Sequence, residues 1–572
     1  CPWLGLLIRG HLNSLKSCAS PKKTISIQLV FMLRNLNIWY LTSFLISLVV
    51  AIPILTVFTS FFDTTSNYVE ILKNTFLLEY ITNSIILLLG VLTMTFILGV
   101  GCAYMVSFYN FFGVNFFKWA LILSFAVPPY IYAYSLTAFF ENYGTAFSIL
   151  SYFFGEGNYN QYIPKFDEMI GAILSLSFSL FGYVYILARS SFLYQSQNLI
   201  DIGRNLGFSK FETLFKVIIP SARPAIIAGL SLVSMETLSE FGAVDFFSVN
   251  TLTTAIYNSW ISFDDLVFAN QLSFYLLIFI LVVFLLENYS RNNAKFHLPS
   301  RGGFKEKQKL FIGRKKSILL FLACSLVLFL SFIFPFSQML YWTLKYPKHF
   351  YDLDISNLFF NTINLVILSS LVLIVFSFIS NYGNRVTRSK FLNSLTTFSI
   401  SGYAIPGVIL AVAFITFISW FDENIVKFYE FKSIKKIFIG SILGLVTVYF
   451  VRFYSLACNG LKSGYEKINR SVDESAYLIG YSKFKTFTKV HIPYLRNSVL
   501  FIIILVSLEI VRELPITLIL RPFNYETFAT TAYIFASQDL LEAAAVPALF
   551  LITIASIFIL LTSKYILRDK NE

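Results

Sequence analysis

The chain has 572 residues, of which 56% are hydrophobic and only 13% charged, and its mean hydropathy is +0.70. Soluble globular domains carry about a quarter charged residues, so this composition excludes a soluble globule and indicates a polytopic membrane protein. The net charge of +13 comes from Lys and Arg in short connections between apolar runs, which is typical of topology signals and argues against a nucleic-acid partner.

Long apolar runs recur along the whole chain, each about 20 residues or longer, which is enough to cross roughly 30 Å of hydrocarbon as an α-helix. They predict six spans in the first half, at roughly 38–62, 80–108, 116–140, 169–194, 222–247 and 270–290. They predict six more in the second half, at roughly 317–343, 357–382, 392–420, 437–460, 497–520 and 546–567. The expected fold class is therefore an all-α membrane protein with about twelve transmembrane helices.

A basic connection at 291–316 separates the two halves, and it predicts a cytoplasmic linker between a first unit at 32–290 and a second unit at 317–572. Residues 1–31 have neither the layout of a signal peptide nor a spanning length. Met32 opens a short basic start that leads into the first span. We therefore expect Met32 to be the true start and 1–31 to be a non-native or upstream extension.

Two polar, basic segments repeat each other at an offset of 273 residues. The first is LIDIGRNLGFSKFETLFKVIIPSARPAI at 199–226, and the second is VDESAYLIGYSKFKTFTKVHIPYLRNSV at 472–499. Lys and Arg in the short loops place both segments, and both chain termini, on the cytoplasmic side. Each unit holds an even number of spans, so the two copies have the same orientation and form a parallel repeat.

The repeat extends beyond these two segments. Asn83-Ser84 matches Asn361-Thr362, and Val127-Pro128 matches Ile405-Pro406, both at an offset of 278. Such closely similar offsets indicate that one ancestral unit was duplicated. In a parallel repeat of this kind the transport site is expected at the interface between the two copies.

The two repeated segments resemble the EAA loop of ABC importer permeases, in which an acid and small residues precede a Gly and then a Pro. The matching residues are Glu474, Ser475, Ala476, Gly480, Val490, Ile492 and Pro493 in the second copy and Asp201, Ile202, Gly203, Gly207, Val217, Ile219 and Pro220 in the first. The resemblance implies a type I ABC importer permease fold and loops that dock into a separate ATPase subunit. It assigns ATPase coupling to Asp201, Gly207, Pro220, Glu474, Ala476, Gly480 and Pro493. Gly207 and Gly480 are expected to adopt a positive φ or to approach a neighbour closely.

The chain contains no GxxxxGK[ST] phosphate loop, so the sequence offers no visible means of binding ATP. The four histidines, at His11, His297, His349 and His491, are isolated and are expected to be solvated or loop residues. No metal-ligand spacing or disulfide framework occurs. We therefore expect no catalytic residue, no bound metal and no cofactor, and we expect the energy for transport to come from a partner.

Two pairs of acids follow the repeated segments: Glu236 and Glu240 in the first half, and Glu509 and Glu513 in the second. Their i, i+4 spacing predicts that each pair lies on one helix face. Carboxylates within a span are costly and normally face a bundle interior, a polar cavity or a partner. The four acids are candidates for the translocation path. The alternative is a structural role in which Arg512 or another cation neutralises Glu509 or Glu513.

The sequence segments around these acids resemble those of the fused two-unit permeases of ferric iron ABC importers. The segments are ETLSEFGAVDFFSVNTLTTAIYNSW and VRELPITLILRPFNYETFATTAYIF. The resemblance covers nearly all of 38–567 and implies a protein of the bacterial cytoplasmic membrane, a periplasmic iron-binding protein and two copies of an ATPase subunit. Thiamine and polyamine permeases belong to the same superfamily and remain alternatives. The alternative class is an ion-coupled secondary transporter, in which the paired acids would carry protons. That class gives the two basic loops no role.

Overall fold

The computed structural model describes residues 38–63, 76–155, 157–292, 310–429 and 438–568. In the first half the helices are α1 Ile38–Ser60, α2 Leu77–Phe108, α3 Val114–Ala120, α4 Pro129–Phe140, α5 Thr145–Phe154, α6 Glu168–Asn205, α7 Lys210–Thr213, α8 Ile219–Ser239, α9 Gly242–Phe246, α10 Leu252–Ile261 and α11 Leu266–Asn292. In the second half they are α12 Arg314–Leu328, α13 Phe334–Lys345, α14 Lys348–Asp352, α15 Ile355–Thr387, α16 Lys390–Ile400, α17 Gly407–Tyr429, α18 Ile442–Glu466, α19 Arg470–Leu478, α20 Lys483–Thr486, α21 Ile492–Arg512, α22 Pro515–Leu520, α23 Phe528–Ser537 and α24 Leu541–Arg568.

The only strands in the described ranges are β1 Tyr109–Asn110 and β2 Leu310–Phe311, which form a short parallel pair. The expected all-α class is therefore confirmed. The predicted extension at 1–31, the proposed start at Met32 and most of the linker at 291–316 lie outside the described residues. The proposed boundaries of the two units stay predictions.

The helices reproduce the predicted number of spans. Within the described residues, eleven helical runs are long and apolar enough to cross a membrane, and a bent pair, Val114–Ala126 with Pro129–Phe154, makes a twelfth. Because backbone hydrogen bonds close inside each helix, these runs can lie in hydrocarbon without unpaired peptide groups. The prediction of about twelve spans is confirmed, although several spans are not the straight helices that we expected.

The predicted spans at 116–140 and 392–420 are each broken, which corrects the expectation of continuous helices. In the first, a 3-10 turn at Leu121–Ala126 leads to extended backbone at Val127 and Pro128, and the bend is 89°. In the second, a turn at Ser401–Ala404 leads to extended backbone at Ile405. Proline disfavours the helical region for the residue before it, and the matched Val-Pro and Ile-Pro pairs lie at the two breaks, where that residue is extended.

The predicted spans at 222–247 and 497–520 also end earlier than expected. Helix α8 ends at Ser239 and helix α21 ends at Arg512, positions that are 273 residues apart. Both helices continue backwards into the repeated basic segments, and the helical runs begin at Phe211 and Lys483. The repeat is therefore retained in the helix ends themselves.

Three π-helical turns interrupt long helices, and each one ends two residues before a proline. The turns are Leu214–Ile218, Phe329–Ile333 and Phe487–His491, and the prolines are Pro220, Pro335 and Pro493. Proline lacks an N–H and its ring collides with the carbonyl four residues earlier. A wider turn moves that carbonyl away from the ring, so the helix continues through the proline.

Hydrogen bonds that the two copies share confirm the wider repeat. Asn83 Nδ2 donates to the Asn250 carbonyl at 3.0 Å, and Asn361 Nδ2 donates to the Glu526 carbonyl at 3.0 Å. The neighbouring hydroxyls, of Ser84 and Thr362, accept the backbone N–H of the first residue of α10 and of α23, at 3.1 and 3.3 Å. Each pair thus ties the second span of its unit to the following short helix.

The two halves are not packed as separate bodies, because the first span of each half lies against the other half. In α1, Ser47 Oγ lies 3.1 Å from Ser399 Oγ of α16. In α13, Gln338 Nε2 donates to Thr145 Oγ1 of α5 at 2.8 Å. One buried apolar cluster contains residues from both halves. Moving the halves therefore requires these exchanged helices to move with the opposite half.

A partly buried triad of Asp473, Arg385 and His491 anchors the second basic segment to the end of α15. Asp473 Oδ2 accepts from Arg385 Nε at 2.7 Å, and Asp473 Oδ1 lies 2.7 Å from His491 Nε2. Arg385 also donates to the carbonyls of Tyr465 and Ile468. His491 is 1% exposed, so the expectation that every histidine is a solvated or loop residue was wrong for this one. In the first copy, the positions that match Asp473 and His491 hold isoleucines, at Ile200 and Ile218.

The triad makes stability depend on pH. Burial raises the pKa of the Asp473 carboxyl, but hydrogen bonds from Arg385 and His491 lower it by more, so the pKa lies below its ordinary value. The carboxylate therefore stabilises the fold fully above about pH 4, the pKa of an unfolded Asp, and this contribution is lost as pH falls through the lower folded pKa.

We expect Asp473→Asn to lower the free energy of unfolding at pH 7 by about 2 kcal/mol, between the values for surface and fully buried ion pairs. Glu474→Gln, a change at the exposed neighbouring residue, is the matched control and should be within about 0.5 kcal/mol of wild type. Thermal unfolding in detergent at several pH values measures both. A deficit for Asp473→Asn that persisted unchanged in strong acid would contradict the proposed origin of the effect.

Candidate functional site

The two repeated basic segments have the same backbone path. In the first, α6 runs through Asp201 to Asn205, a turn follows at Gly207, and α7 then leads through a π-helical turn into α8. In the second, α19 ends at Leu478, a turn follows at Gly480, and α20 leads in the same way into α21. Both copies are therefore helix–turn–helix connections at the predicted cytoplasmic end of the bundle.

Gly207 and Gly480 have φ values of +73° and +88°, so the predicted left-handed conformation is confirmed at both. A Cβ added at either position would meet no heavy atom within 4 Å. The alternative reason for glycine, close approach of a neighbour, therefore does not apply within this chain. Glycine is required here by the backbone conformation, which costs other residues about 1 kcal/mol or more.

Large apolar side chains are exposed at matching positions of the two segments. Phe211 and Phe484 are 71% and 75% exposed, and Leu206 and Ile479 are 59% and 75% exposed. Each pair is separated by the 273-residue offset of the repeat. Clustered exposed apolar residues among polar ones indicate an interaction surface for another protein.

The structure places the other predicted coupling residues on the same connections. Glu474 is exposed on α19, whereas Ala476 is buried at 5% exposure on the inner side of that helix. Pro220 and Pro493 are exposed near the starts of α8 and α21. Asp201 lies in α6, at the position that matches Glu474. A role in coupling stays a prediction for all of these residues.

All four predicted acids come together at the interface between the halves, in what we call the charge cluster: Glu236, Glu240, Arg452, Glu509, Arg512 and Glu513. They line a cavity of about 50 Å³ whose walls also include Tyr130 and Pro128 at the break in the third span. A cavity of this size holds a few water molecules. The acids therefore enclose only a narrow space in this conformation, which we call closed.

The two acids of each pair line the same cavity, but the second acid of each pair lies just beyond the end of its helix. Glu240 and Glu513 have extended backbone, with ψ of 130° and 119°, and each is the first residue after its helix. Glu240 Oε1 accepts the N–H of Ala243 at 3.0 Å, and Glu513 Oε1 accepts the N–H of Ile516 at 3.4 Å. These two acids thus satisfy N–H groups in the first turns of α9 and α22, where a carboxylate is favoured.

Two arginines, both from the second half, neutralise part of the cluster. Arg452 Nε lies 3.3 Å from Glu513 Oε2, and Arg452 Nη1 donates to the Ile405 carbonyl at 3.2 Å. Arg512 Nη2 lies 3.9 Å from Glu509 Oε2, and Arg512 Nη1 donates to the Phe125 carbonyl at 2.7 Å. Both arginines therefore bind carbonyls at the backbone breaks, where helical hydrogen bonding is interrupted.

Three residues of this site, Arg452, Tyr130 and Tyr403, were not predicted from the sequence. The Tyr403 hydroxyl donates to Glu236 Oε1 at 3.0 Å. Arg452 carried a usable signal, because it lies in the middle of a predicted span, where a charge is costly unless it has a partner. The tyrosines carried none among the 33 in the chain. In the described part of the chain, no group of three or more His, Cys, Asp or Glu is arranged to hold a metal ion.

Comparisons with known proteins agree with this architecture. The family model for the binding-protein-dependent transport system inner membrane component matches twice, at residues 95–293 and 374–568. The Fe(3+)-transport system permease protein FbpB 2 of Haemophilus influenzae is 23% identical over 501 residues, which cover 87% of this chain and 92% of that relative.

Permeases for oxyanions match only part of the chain. The sulfate transport system permease protein CysT of Escherichia coli is 23% identical over 159 residues, 27% of this chain and 53% of that relative. The molybdate/tungstate transport system permease protein WtpB of Pyrococcus abyssi is 24% identical over 204 residues, 36% of this chain and 73% of that relative. The two family matches together cover more than half of the chain. The chain therefore belongs to the binding-protein-dependent transport system inner membrane components, and it is a multi-pass inner membrane protein with two fused permease units of the type I ABC importer fold.

Proposed function

We propose that this chain is the transmembrane permease of an ABC importer for ferric iron. Cargo arrives on a periplasmic binding protein, and two copies of a separate ATPase subunit act on the two basic segments. The observation that carries the proposal is the similarity to an Fe(3+) permease across both units, over 92% of that relative's length. The sulfate and molybdate permeases match about a quarter to a third of this chain.

The charge cluster supports a cationic cargo over an oxyanion. It contains four acids and two arginines, so carboxylates outnumber guanidinium groups at the interface between the halves. Carboxylate oxygens suit hard cations, whereas an excess of carboxylates repels sulfate or molybdate. Thiamine and polyamines are also cationic and remain the alternatives, with an ion-coupled secondary transporter as the less favoured class.

Cargo identity is tested by uptake into proteoliposomes that contain the permease, its ATPase and its binding protein. We expect ATP-dependent accumulation of Fe³⁺, and none of sulfate, thiamine or spermidine. Omitting the binding protein is the control and should abolish accumulation. Uptake of another solute in place of iron would overturn the cargo assignment, and uptake driven by a proton gradient without ATP would overturn the importer class.

The source of energy gives a second test. Because no phosphate-binding loop occurs in the sequence, the purified chain alone should hydrolyse no ATP. Hydrolysis should appear when the ATPase subunit is added. The measurement is phosphate release from the permease before and after that addition, with a catalytically inactive ATPase subunit as control. Hydrolysis by the isolated chain would contradict the proposal.

The two basic segments give a third test. Gly207→Asp and Gly480→Asp each force a Cβ into a left-handed turn and should reduce co-purification of the ATPase or uncouple hydrolysis from uptake. Because the second segment follows the family pattern more closely, Gly480→Asp should have at least as large an effect.

Gly440→Asp is the matched control for both substitutions. Gly440 also has a positive φ, +68°, with open space around it, but it lies in a connection on the opposite, outward side. It should carry the same backbone cost of about 1 kcal/mol without loss of coupling. Normal coupling in both segment variants would show that the two segments are ordinary connectors.

A further inference from the structure

The four acids of the charge cluster have two different environments. Glu240 and Glu513 each use a carboxylate oxygen to accept a backbone N–H at the start of a short helix, and Glu513 is also paired with Arg452. The Glu513 side chain is only 7% exposed. One oxygen of each acid thus holds the backbone just after α8 or α21 ends. These two acids therefore position the breaks in the helices.

Glu236 and Glu509 lie one turn earlier, inside α8 and α21, and neither accepts a backbone N–H in the described structure. Glu236 accepts a hydrogen bond from Tyr403, and Glu509 has only a 3.9 Å contact with Arg512. The Glu509 side chain is 20% exposed, nearly three times the value for Glu513. The 273-residue offset relates the two acids, so one comes from each half and both line the same cavity.

A buried phenol adds an independent observation. Tyr130 is 2% exposed, lines the same cavity, and its hydroxyl has no hydrogen-bond partner in the described structure. An unpaired buried hydroxyl is unfavourable unless a ligand or water satisfies it during function. Carboxylate and phenol oxygens together form a set of donors for a hard, highly charged cation.

Arg512 explains why no such cation site is assembled in the closed conformation. It occupies the position that matches Ser239 in the first half, so it breaks the repeat. Its guanidinium lies beside Glu509 and donates to the Phe125 carbonyl of the opposite half at 2.7 Å. This contact joins the two halves, and it must break when they separate. Glu509 and Arg512 lie on the same helix, so separation frees Arg512 from the Phe125 carbonyl while Arg512 stays near Glu509.

On the basis of the proposed iron import, we propose that Glu236 and Glu509, one from each half, are the residues that contact the cargo cation, with Tyr130 as a third oxygen donor. Arg512 takes the place of the cation while the path is closed. Glu240 and Glu513 are positioning residues. When the halves separate, the cation competes with Arg512 for Glu509 and with the Tyr403 hydroxyl for Glu236, and no covalent bond changes.

The test uses the complete transporter in proteoliposomes and compares the two classes of acid. Glu236→Gln and Glu509→Gln should each reduce Fe³⁺ uptake per transporter by about tenfold or more, since one contact between charged groups contributes at least that factor. Their melting temperatures should fall less than those of Glu240→Gln and Glu513→Gln, because neither Glu236 nor Glu509 holds a backbone N–H, and their bound ATPase should match wild type. Glu236→Asp and Glu509→Asp keep the charge and should recover part of the uptake.

Glu240→Gln and Glu513→Gln are the matched comparison. These variants should show lower melting temperatures and yields, and the transporters that do assemble should carry more Fe³⁺ than the Glu236→Gln and Glu509→Gln variants. Tyr130→Phe should reduce uptake without lowering the melting temperature, because the hydroxyl has no partner to lose.

The outcomes separate the two proposals. Wild-type transporter that carries no Fe³⁺ overturns the proposed function and this inference with it. If wild type carries Fe³⁺ while Glu236→Gln and Glu509→Gln do so equally well, only the inference is overturned. A fall in melting temperature as large for these two variants as for Glu240→Gln and Glu513→Gln would make all four acids structural and would also overturn it.

Discussion

Placing four carboxylates together in a narrow cavity between the two halves is the constraint on which the closed conformation depends. A buried charge that loses its partner costs several kcal/mol, so each acid must find a guanidinium, a hydroxyl or a backbone N–H. Arg452 and Arg512 meet part of this need, and Nη1 of each also donates to a carbonyl, that of Ile405 or of Phe125. The same two residues thus neutralise the acids and satisfy peptide groups that the broken spans leave unpaired. The contacts made by the two arginines in the closed conformation are therefore also the contacts that satisfy carbonyls at the breaks in the spans.

The prolines explain how long helices bend without losing their hydrogen bonding in lipid. Where a proline follows a π-helical turn, as at Pro220 and Pro493, the helix continues from the basic segment into the span. Where a Val-Pro or Ile-Pro pair follows a 3-10 turn, the chain becomes extended and the span breaks. The first arrangement makes each exposed segment continuous with α8 or α21, whose far ends carry the charge cluster. Each segment is therefore connected to the cluster through one helical run.

Duplication produced two similar halves that have since diverged in their charged contacts. The segment at 472–499 is anchored by Asp473, His491 and Arg385, whereas the matching positions 200 and 218 in the first copy are isoleucines. Arg512 likewise matches Ser239. Both differences place the additional ions in the second half. The exchange of first spans, in contrast, is common to both halves, because α1 and α13 each contact the opposite half.

The sequence by itself determined the membrane class, the number of spans, the parallel repeat, the left-handed turns at Gly207 and Gly480, and the four acids of the cluster. These follow from hydropathy, from residue spacing and from the steric uniqueness of glycine, all of which are local properties of the chain. Only the tertiary structure decided which acids accept N–H groups at helix starts and which groups Arg452 and Arg512 bind. It also decided that His491 is buried against Asp473. Those contacts join residues that lie far apart in the chain, and for Arg512 and Phe125 they join opposite halves, so their pairing depends on how the helices pack and not on any local pattern.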